Sequence, residues 1–137
     1  MKFVLPLKPR GAARPRKSKA GHIYEVPEDK AYKQFIRDFI QVTLPGSYRV
    51  STDPMYVHIN MYIKLPKSSQ TIANKVKVTE GILHPVVKPD VDNLAKLILD
   101  AMNGIIYEDD KQVIELSIKK HYTLHEDEVH IEVGQLC

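Results

Sequence analysis

The sequence has little of what disulfide, redox or membrane chemistry requires. Its single cysteine, Cys137, has no partner for a disulfide, so we expect a reducing, cytoplasmic setting. Tryptophan is absent, and no apolar run approaches the roughly 20 residues that a membrane-spanning helix needs. The apolar start of the chain, over residues 1–7, is too short for a signal peptide. We therefore expect no membrane association.

Several signatures of catalysis are also missing. The sequence has no glycine-rich phosphate loop, and it has no Ser/His/Asp or Cys/His arrangement of a nucleophile and its base. Its six histidines are scattered. His121, His125 and His130 leave a zinc site open, but no cysteines accompany them, and the pattern disfavours it. His58, on the polar side of a strand pattern, is interpreted as a surface group.

Length and periodicity predict one small α+β domain. A chain of 137 residues with 43% hydrophobic content can form a single core, so residues 1–137 are assigned to one domain. The predicted elements, in the order β-α-β-α-β-β, are strands over 2–7, 55–64, 112–122 and 128–133 and helices over 27–44 and 92–103. A short helix over 71–78 stays open, and residues 123–127 are expected to turn the last two strands into a hairpin. This order indicates a two-layer domain with helices on one face of a small mixed sheet.

Acidic residues are missing from the first twenty positions, which hold seven lysines and arginines. This arm carries +7, so the remainder carries −4 within a total of +3. Prolines and a glycine predict a basic loop over residues 8–23 that contacts nucleic-acid phosphates. A solvated tail is the alternative interpretation. The candidate DNA contacts are Lys8, Arg10, Arg14, Arg16, Lys17 and Lys19, joined farther along by Lys75, Lys77 and Lys88.

Carboxylates crowd into one region of this otherwise basic chain. Asp90 and Asp92 precede Lys96, and Asp109 and Asp110 follow shortly after the predicted helix over 92–103. Such side chains repel each other and repel DNA, unless a divalent cation is bound between them. Hard carboxylate oxygens bind Mg²⁺, which in turn meets a phosphate. The pattern therefore predicts a metal-dependent nuclease.

The predicted helix over 92–103 presents its polar residues away from the core. Its apolar residues, Leu94, Leu97, Ile98, Ala101 and Ile105, fall on one side, and Asp92, Lys96 and Asn103 lie nearly opposite with Asp100 beside them. Plainer interpretations exist for each polar residue. Asp92 can serve as a helix cap, the Asp109–Asp110 pair as a turn signal, and Lys96 with Asp100 as a solvated ion pair.

The motif around these residues resembles that of a known family. The run from Lys88 through Asp90, Asp92, Asn93 and Lys96 to Asp100 and Gly104, then Tyr107, Asp109, Asp110 and Gln112, is similar to the RusA family of crossover-junction endodeoxyribonucleases. The basic loop with Gly21 and Tyr24 resembles that family's N-terminal loop. Some members carry arginine just before the first aspartate, where this chain has Lys88-Pro89.

The resemblance implies a homodimer that cuts four-way DNA junctions symmetrically with Mg²⁺ or Mn²⁺, in recombination or repair. It assigns metal binding to Asp90, Asp92 and Asp110 and catalysis to Lys96, and it leaves Asp100 and Asp109 without a role. Members are often encoded by phages or prophages. Two other functions stay open, namely a non-catalytic DNA-binding module and a less selective nuclease of branched DNA.

Overall fold

Strict alternation of apolar and polar residues makes β4 (Met55–Lys64) the central strand of the molecule. This computed structural model describes residues 1–13 and 16–136, and for Arg16 it describes the backbone only. In it, β4 is the third strand of a four-stranded sheet ordered β1-β6-β4-β5. The others are β1 (Lys2–Leu5), β5 (Val113–Thr123) and β6 (Glu128–Gln135). Along β4 the buried side chains are those of Met55, Val57, Ile59 and Met61.

The sheet is mixed, as expected, but its last two strands do not form a hairpin. β5 pairs parallel to β4, and β6 pairs antiparallel to the other edge of β4, so β4 lies between them. The prediction that residues 123–127 close a hairpin is therefore wrong. The apolar alternation of β4 is buried along most of its length, which suits a strand paired on both edges.

Two helices cover one face of the sheet. α1 (Pro27–Thr43) and α3 (Val91–Met102) pack against each other and on the strands. Ile36 and Ile40 of α1 are fully buried, whereas Phe35 of the same helix is about half exposed at 46%. The predicted apolar side of α3 is confirmed, with Leu94, Leu97, Ile98, Ala101 and Ile105 all buried. The α+β fold class is thus the one expected.

An arginine from α1 closes the C-terminal end of α3. Arg37 Nη1 donates to the carbonyls of Ala101 and Asn103, at 3.1 and 2.7 Å. A cation at this end of a helix satisfies free carbonyls and complements the helix dipole. The sequence pattern of α3 gave no sign of this cap, because its donor lies 64 residues away.

The structure adds elements to the predicted order. The first strand ends at Leu5 instead of Leu7, and the basic loop contains a two-stranded ladder of β2 (Arg16–Lys17) and β3 (Ile23–Tyr24). The short helix left open is present as α2 (Ile72–Thr79). Single-turn 3-10 helices occur at Lys67–Ser69 and Asp110–Gln112. None of the helices within the described residues is long and apolar enough to cross a membrane.

Candidate functional site

The first turn of α3 presents two carboxylates to solvent. Asp90 is the N-cap residue, in an extended conformation, and its side chain makes no capping hydrogen bond. Asp92, which could have served as the cap, is instead the second residue of the helix, where the helix dipole favours a negative charge. Both side chains are exposed. Neither carboxylate is therefore consumed by capping the helix.

Lys96 occupies the middle of the polar stripe. It is exposed, and it follows Asp92 and precedes Asp100 by one helical turn each, so all three share one face of α3. At 1.5 Å per residue, Asp92 and Asp100 are about 12 Å apart along the helix axis. The lysine thus lies between two separated acidic groups.

The second acidic group forms where the chain returns to α3. Tyr107 is buried and donates from its hydroxyl to the Leu99 carbonyl at 2.8 Å, which fixes the turn after the helix. Asp109 then caps the 3-10 turn. Its carboxylate accepts from the Lys111 N–H at 2.9 Å, while Gln112 Oε1 accepts from the Asp109 N–H at 3.0 Å. Gln112 also donates to the Ser51 and Asp53 carbonyls, at 2.9 and 3.0 Å, which ties this turn to the segment before β4.

Within this turn, the Asp110 carboxyl group accepts no hydrogen bond from the backbone. Desolvation by burial raises its pKa, and the neighbouring side chains of Asp109 and Asp100 raise it further. Hydrogen bonding to the Lys111 backbone lowers the pKa of Asp109. Asp110 therefore lies near both Asp109 and Asp100, close to the end of α3. Negative charge accumulates at this end of the stripe, and a bound cation would relieve it.

The predicted ligand set is thus divided between the two ends of α3. Asp90 and Asp92 lie at its start, and Asp110 lies with Asp100 close to its end. Over residues 1–13 and 16–136, no three His, Cys, Asp or Glu side chains converge in a way that could hold a metal ion. The donor chemistry nevertheless suits a hard divalent cation, because every acidic group here offers carboxylate oxygens.

A basic segment crosses the start of α3. The Ala12 N–H donates to the Asn93 carbonyl at 3.0 Å, and a Cβ atom on Gly11 would lie 3.0 Å from Asn93 Cβ, so the backbones are in close contact. Together with Lys88 and Asp90, these residues line a small surface cleft. The basic loop is therefore placed against the predicted catalytic helix.

A larger cleft of about 700 Å³ separates the same segment from the middle of α3. Its lining includes Ala12, Ala13 and Tyr24 on the loop side and Lys96 with Asp100 on the helix side. Lys96 therefore faces a space large enough for a nucleotide, and uncharged residues of the loop form the opposite wall. The cleft therefore lies between the basic loop and the acidic helix, the two segments on which the prediction of a nuclease was based.

The candidate DNA contacts differ in their surroundings. Arg10 is held in an ion pair with buried Asp29, at 2.8 Å, a partner that the sequence did not reveal. Arg14 lies outside the described residues, and the side chain of Arg16 is not described. Exposed side chains are found for Lys8, Lys17, Lys19, Lys75, Lys77 and Lys88.

The histidines considered for zinc, and His58, lie apart from this region. His121 Nε2 is 2.8 Å from Asn60 Oδ1, and His130 Nε2 is 2.7 Å from Glu128 Oε2, on the open side of the sheet, opposite the buried side chains of β4. His125 lies in the exposed turn after β5. His58 pairs with Glu115 at 3.2 Å on the same open face, as expected for a surface group.

A protein-family model described as Endodeoxyribonuclease RusA matches residues 6–134. The chain belongs to the RusA family. A relative from Bacillus subtilis (strain 168), named "Uncharacterized protein YqaN", is 34% identical to it over 137 residues, which cover 97% of this chain and 93% of the relative. The match to RusA includes the basic segment, the whole of α3 and the Asp109–Asp110 turn. Membership of RusA makes cleavage within DNA the activity to which this site is related.

Proposed function

We propose that this protein is a Mg²⁺-dependent endonuclease that resolves four-way DNA junctions by paired, symmetric cleavage. The observation that carries the proposal is the position of Lys96. It is exposed on α3 between two acidic groups and faces the basic segment across a cleft. A phosphate in this cleft would meet Lys96 directly, with Asp100 on the same wall.

Carboxylate oxygens would hold the metal, and ligands from the two ends of the stripe would have to approach each other when it binds. Asp90, Asp92 and Asp110 are the proposed ligands, and Mn²⁺ is expected to substitute for Mg²⁺ because both accept oxygen donors. The bound ion would supply an activated water and neutralise charge on the scissile phosphate. The closeness of Asp100 to Asp110 favours a supporting role for Asp100 in the same site.

The side chains of the protein would do the rest. The Lys96 ammonium would stabilise negative charge that develops on the phosphate and leaving oxygen. Exposed lysines of the basic loop would hold the backbones of the junction arms, largely without reading bases. A two-fold dimer would direct two such sites at symmetry-related strands of the junction. We place this activity in the cytoplasm.

The test compares DNA shapes under matched conditions. Purified protein is incubated with end-labelled four-way junction, fork, duplex and single-stranded DNA, each with Mg²⁺, Mn²⁺ or EDTA. The proposal expects paired nicks in the junction alone, with either metal and not with EDTA. Binding of the junction without cleavage would instead indicate a non-catalytic DNA-binding module. Equal cleavage of forks and duplexes would indicate a less selective nuclease.

A further inference from the structure

Asp29 is a buried acid in the first turn of α1, with its side chain only 3% exposed. Both of its oxygens are engaged by the basic segment. Oδ1 accepts from Arg10 Nε at 2.9 Å and pairs with Arg10 Nη2 at 2.8 Å, while Oδ2 accepts from the Ala13 N–H at 2.8 Å. A buried carboxylate is tolerated only when it is paired and hydrogen-bonded in this way. The contact therefore fixes both the side chain and the backbone of the segment.

Further contacts extend this attachment from one helix to the other. The Tyr32 hydroxyl donates to the Lys8 carbonyl at 2.9 Å on the α1 side. On the α3 side, the Ala12 N–H donates to the Asn93 carbonyl. Residues 8–13 thus form a strap that runs from α1 to the first turn of α3, beside Asp90.

We propose that Asp29 is a positioning residue, which holds this strap against the catalytic helix, and that Arg10 is its anchor and not a phosphate contact. The inference rests on the proposed function for its DNA readout only. The Arg10 guanidinium already spends two of its donors on Asp29, whereas Lys17 and Lys19 are exposed on the hairpin that follows. Those lysines, unlike Arg10, are placed to meet a DNA backbone.

The two roles for Arg10 predict opposite effects of Asp29→Asn. If Arg10 were a phosphate contact, removal of the acid would release it and tighten DNA binding. If Arg10 is an anchor, the strap loses its attachment and junction affinity falls by about tenfold, as expected for loss of charge-assisted hydrogen bonds. Arg10→Ala is expected to cause a similar loss, and the double variant no more than either single change.

The experiment measures two properties of Asp29→Asn, Arg10→Ala and the double variant. Limited trypsin digestion without DNA reports whether cleavage within residues 11–19 becomes faster, a stretch whose lysines and arginines are the same in all three variants. Junction binding in EDTA across a salt series reports affinity and its salt dependence. Asp38→Asn, an acid-to-amide change at an exposed position of the same helix, is the matched control. Single-turnover cleavage at saturating protein should change much less than affinity.

Unchanged trypsin sensitivity in folded Asp29→Asn, checked by circular dichroism, would overturn the proposal, as would tighter binding by that variant. A purely additive double variant would also count against it. If the strap opens but no variant or wild-type protein binds junction DNA, the positioning role stands and the proposed function fails. Lys17→Gln with Lys19→Gln gives the comparison, with a salt slope lower by about 2.

A second inference comes from α2, whose residues are all at least partly exposed. The helix is capped at both ends. Thr71 Oγ1 accepts from the Asn74 N–H at 3.1 Å, and after Gly81 (φ +72°) the Ile82 N–H donates to the Lys77 carbonyl at 3.0 Å. Helices of eight residues are marginal unless an apolar side is packed. Here that side has no partner among the described residues.

The unpacked side carries exposed apolar residues, and the chain leads from it toward the site. Ile72 is 85% exposed and Val76, one turn later, 48%. The returning segment adds three more exposed side chains, those of Ile82, Val86 and Val87, and then leads into Asp90. Lys120 donates to the Val87 carbonyl, which joins this segment to β5. Exposed apolar side chains grouped in one stretch of chain, the strip over residues 72–87, indicate an interaction surface.

We infer that this strip binds a second copy of the chain, with α2 against α2 in an antiparallel, two-fold arrangement. One pair of charges is complementary in this arrangement. Lys67 lies before the helix and Glu80 at its end, so an antiparallel pair that sets Ile72 against Val76 brings Glu80 of each copy toward Lys67 of the other. The opposed helix dipoles also favour this orientation.

Sedimentation velocity without DNA tests this interface. Wild-type protein is expected to be dimeric, and Val76→Asp monomeric. Val42→Asp, at a valine that is 86% exposed on α1, should leave the dimer intact. Glu80→Lys should weaken the dimer, and Lys67→Glu together with Glu80→Lys should restore it.

Monomeric wild-type protein at every concentration would overturn the inference. So would a dimer unchanged by Val76→Asp, because the two copies would then meet elsewhere. Loss of junction binding by Val76→Asp at unchanged mass would assign the strip to DNA. Since mass is measured without DNA, the first two outcomes do not depend on the proposed function.

Discussion

The hydroxyl of Tyr107 donates a 2.8 Å hydrogen bond to the Leu99 carbonyl from inside the core. Burial raises the pKa of this tyrosine, and the nearby carboxylates, Asp110 first, raise it further, so the group stays a neutral donor. Through this bond a core residue holds the turn that carries Asp110 against α3. Tyr107 is thus both a core residue and the residue that positions this part of the candidate site.

Tyr107→Phe should lower the free energy of unfolding by about 1 kcal/mol, because a buried hydrogen bond is lost without a cavity. Chemical denaturation at neutral pH measures the change. Tyr24→Phe, at a residue that is 45% exposed, is the control and should have almost no effect. Equal stability of Tyr107→Phe and wild type would show that the bond contributes nothing to the fold.

His121→Gln should make the protein less sensitive to mild acid. Desolvation by burial lowers the pKa of His121, and the electrostatic effects of nearby Lys119, His84 and His130 lower it further. The folded state therefore binds fewer protons than the unfolded state, and stability falls as pH drops below the ordinary histidine pKa of about 6.5. Glutamine does not titrate, so His121→Gln does not lose this stability in mild acid. The drop in Tm from pH 7.5 to pH 5.5 should therefore be smaller than that of wild type by about 1–2 °C.

The matched control for this pH effect is His125→Gln in the exposed turn after β5. Its Tm should follow that of wild type at each pH. A larger drop in Tm for His121→Gln than for wild type would reverse the expected sign and contradict the assignment.

Asp92→Asn should abolish junction cleavage and keep or tighten junction binding. The amide removes a proposed metal ligand and also a negative charge that repels the DNA backbone. Cleavage with Mg²⁺ and binding with EDTA are measured on the same labelled junction. Loss of both in parallel would count against a ligand role and favour a defect in folding or in the DNA surface.

Lys96→Gln should reduce the single-turnover cleavage rate by about 10²–10³-fold, the range seen when one charge-stabilising donor is removed. Junction affinity should change by far less, since one exposed lysine contributes little to a large electrostatic surface. Lys2→Gln, an exposed lysine on β1, is the control. A rate within a few-fold of wild type would remove Lys96 from the reaction.

The elements with strong periodicity were predictable from local sequence. The bounds of β4 and the buried side of α3 are confirmed because burial repeats every second residue in a strand and every three to four in a helix. The pairing partners of β4 were not, since apolar alternation in β5 and β6 is the same whether they form a hairpin or flank a third strand. Strand order is a property of the whole sheet.

The sequence by itself determined the family, the polar stripe of Asp92, Lys96 and Asp100, and the basic character of the first twenty residues. Each is written in consecutive or helically spaced positions. Only the tertiary structure decided that Asp110 lies beside Asp100, that Asp29 holds Arg10, and that the strap crosses the start of α3. These contacts join residues separated by up to about eighty positions, so their energies depend on chain closure and packing, which no local pattern encodes.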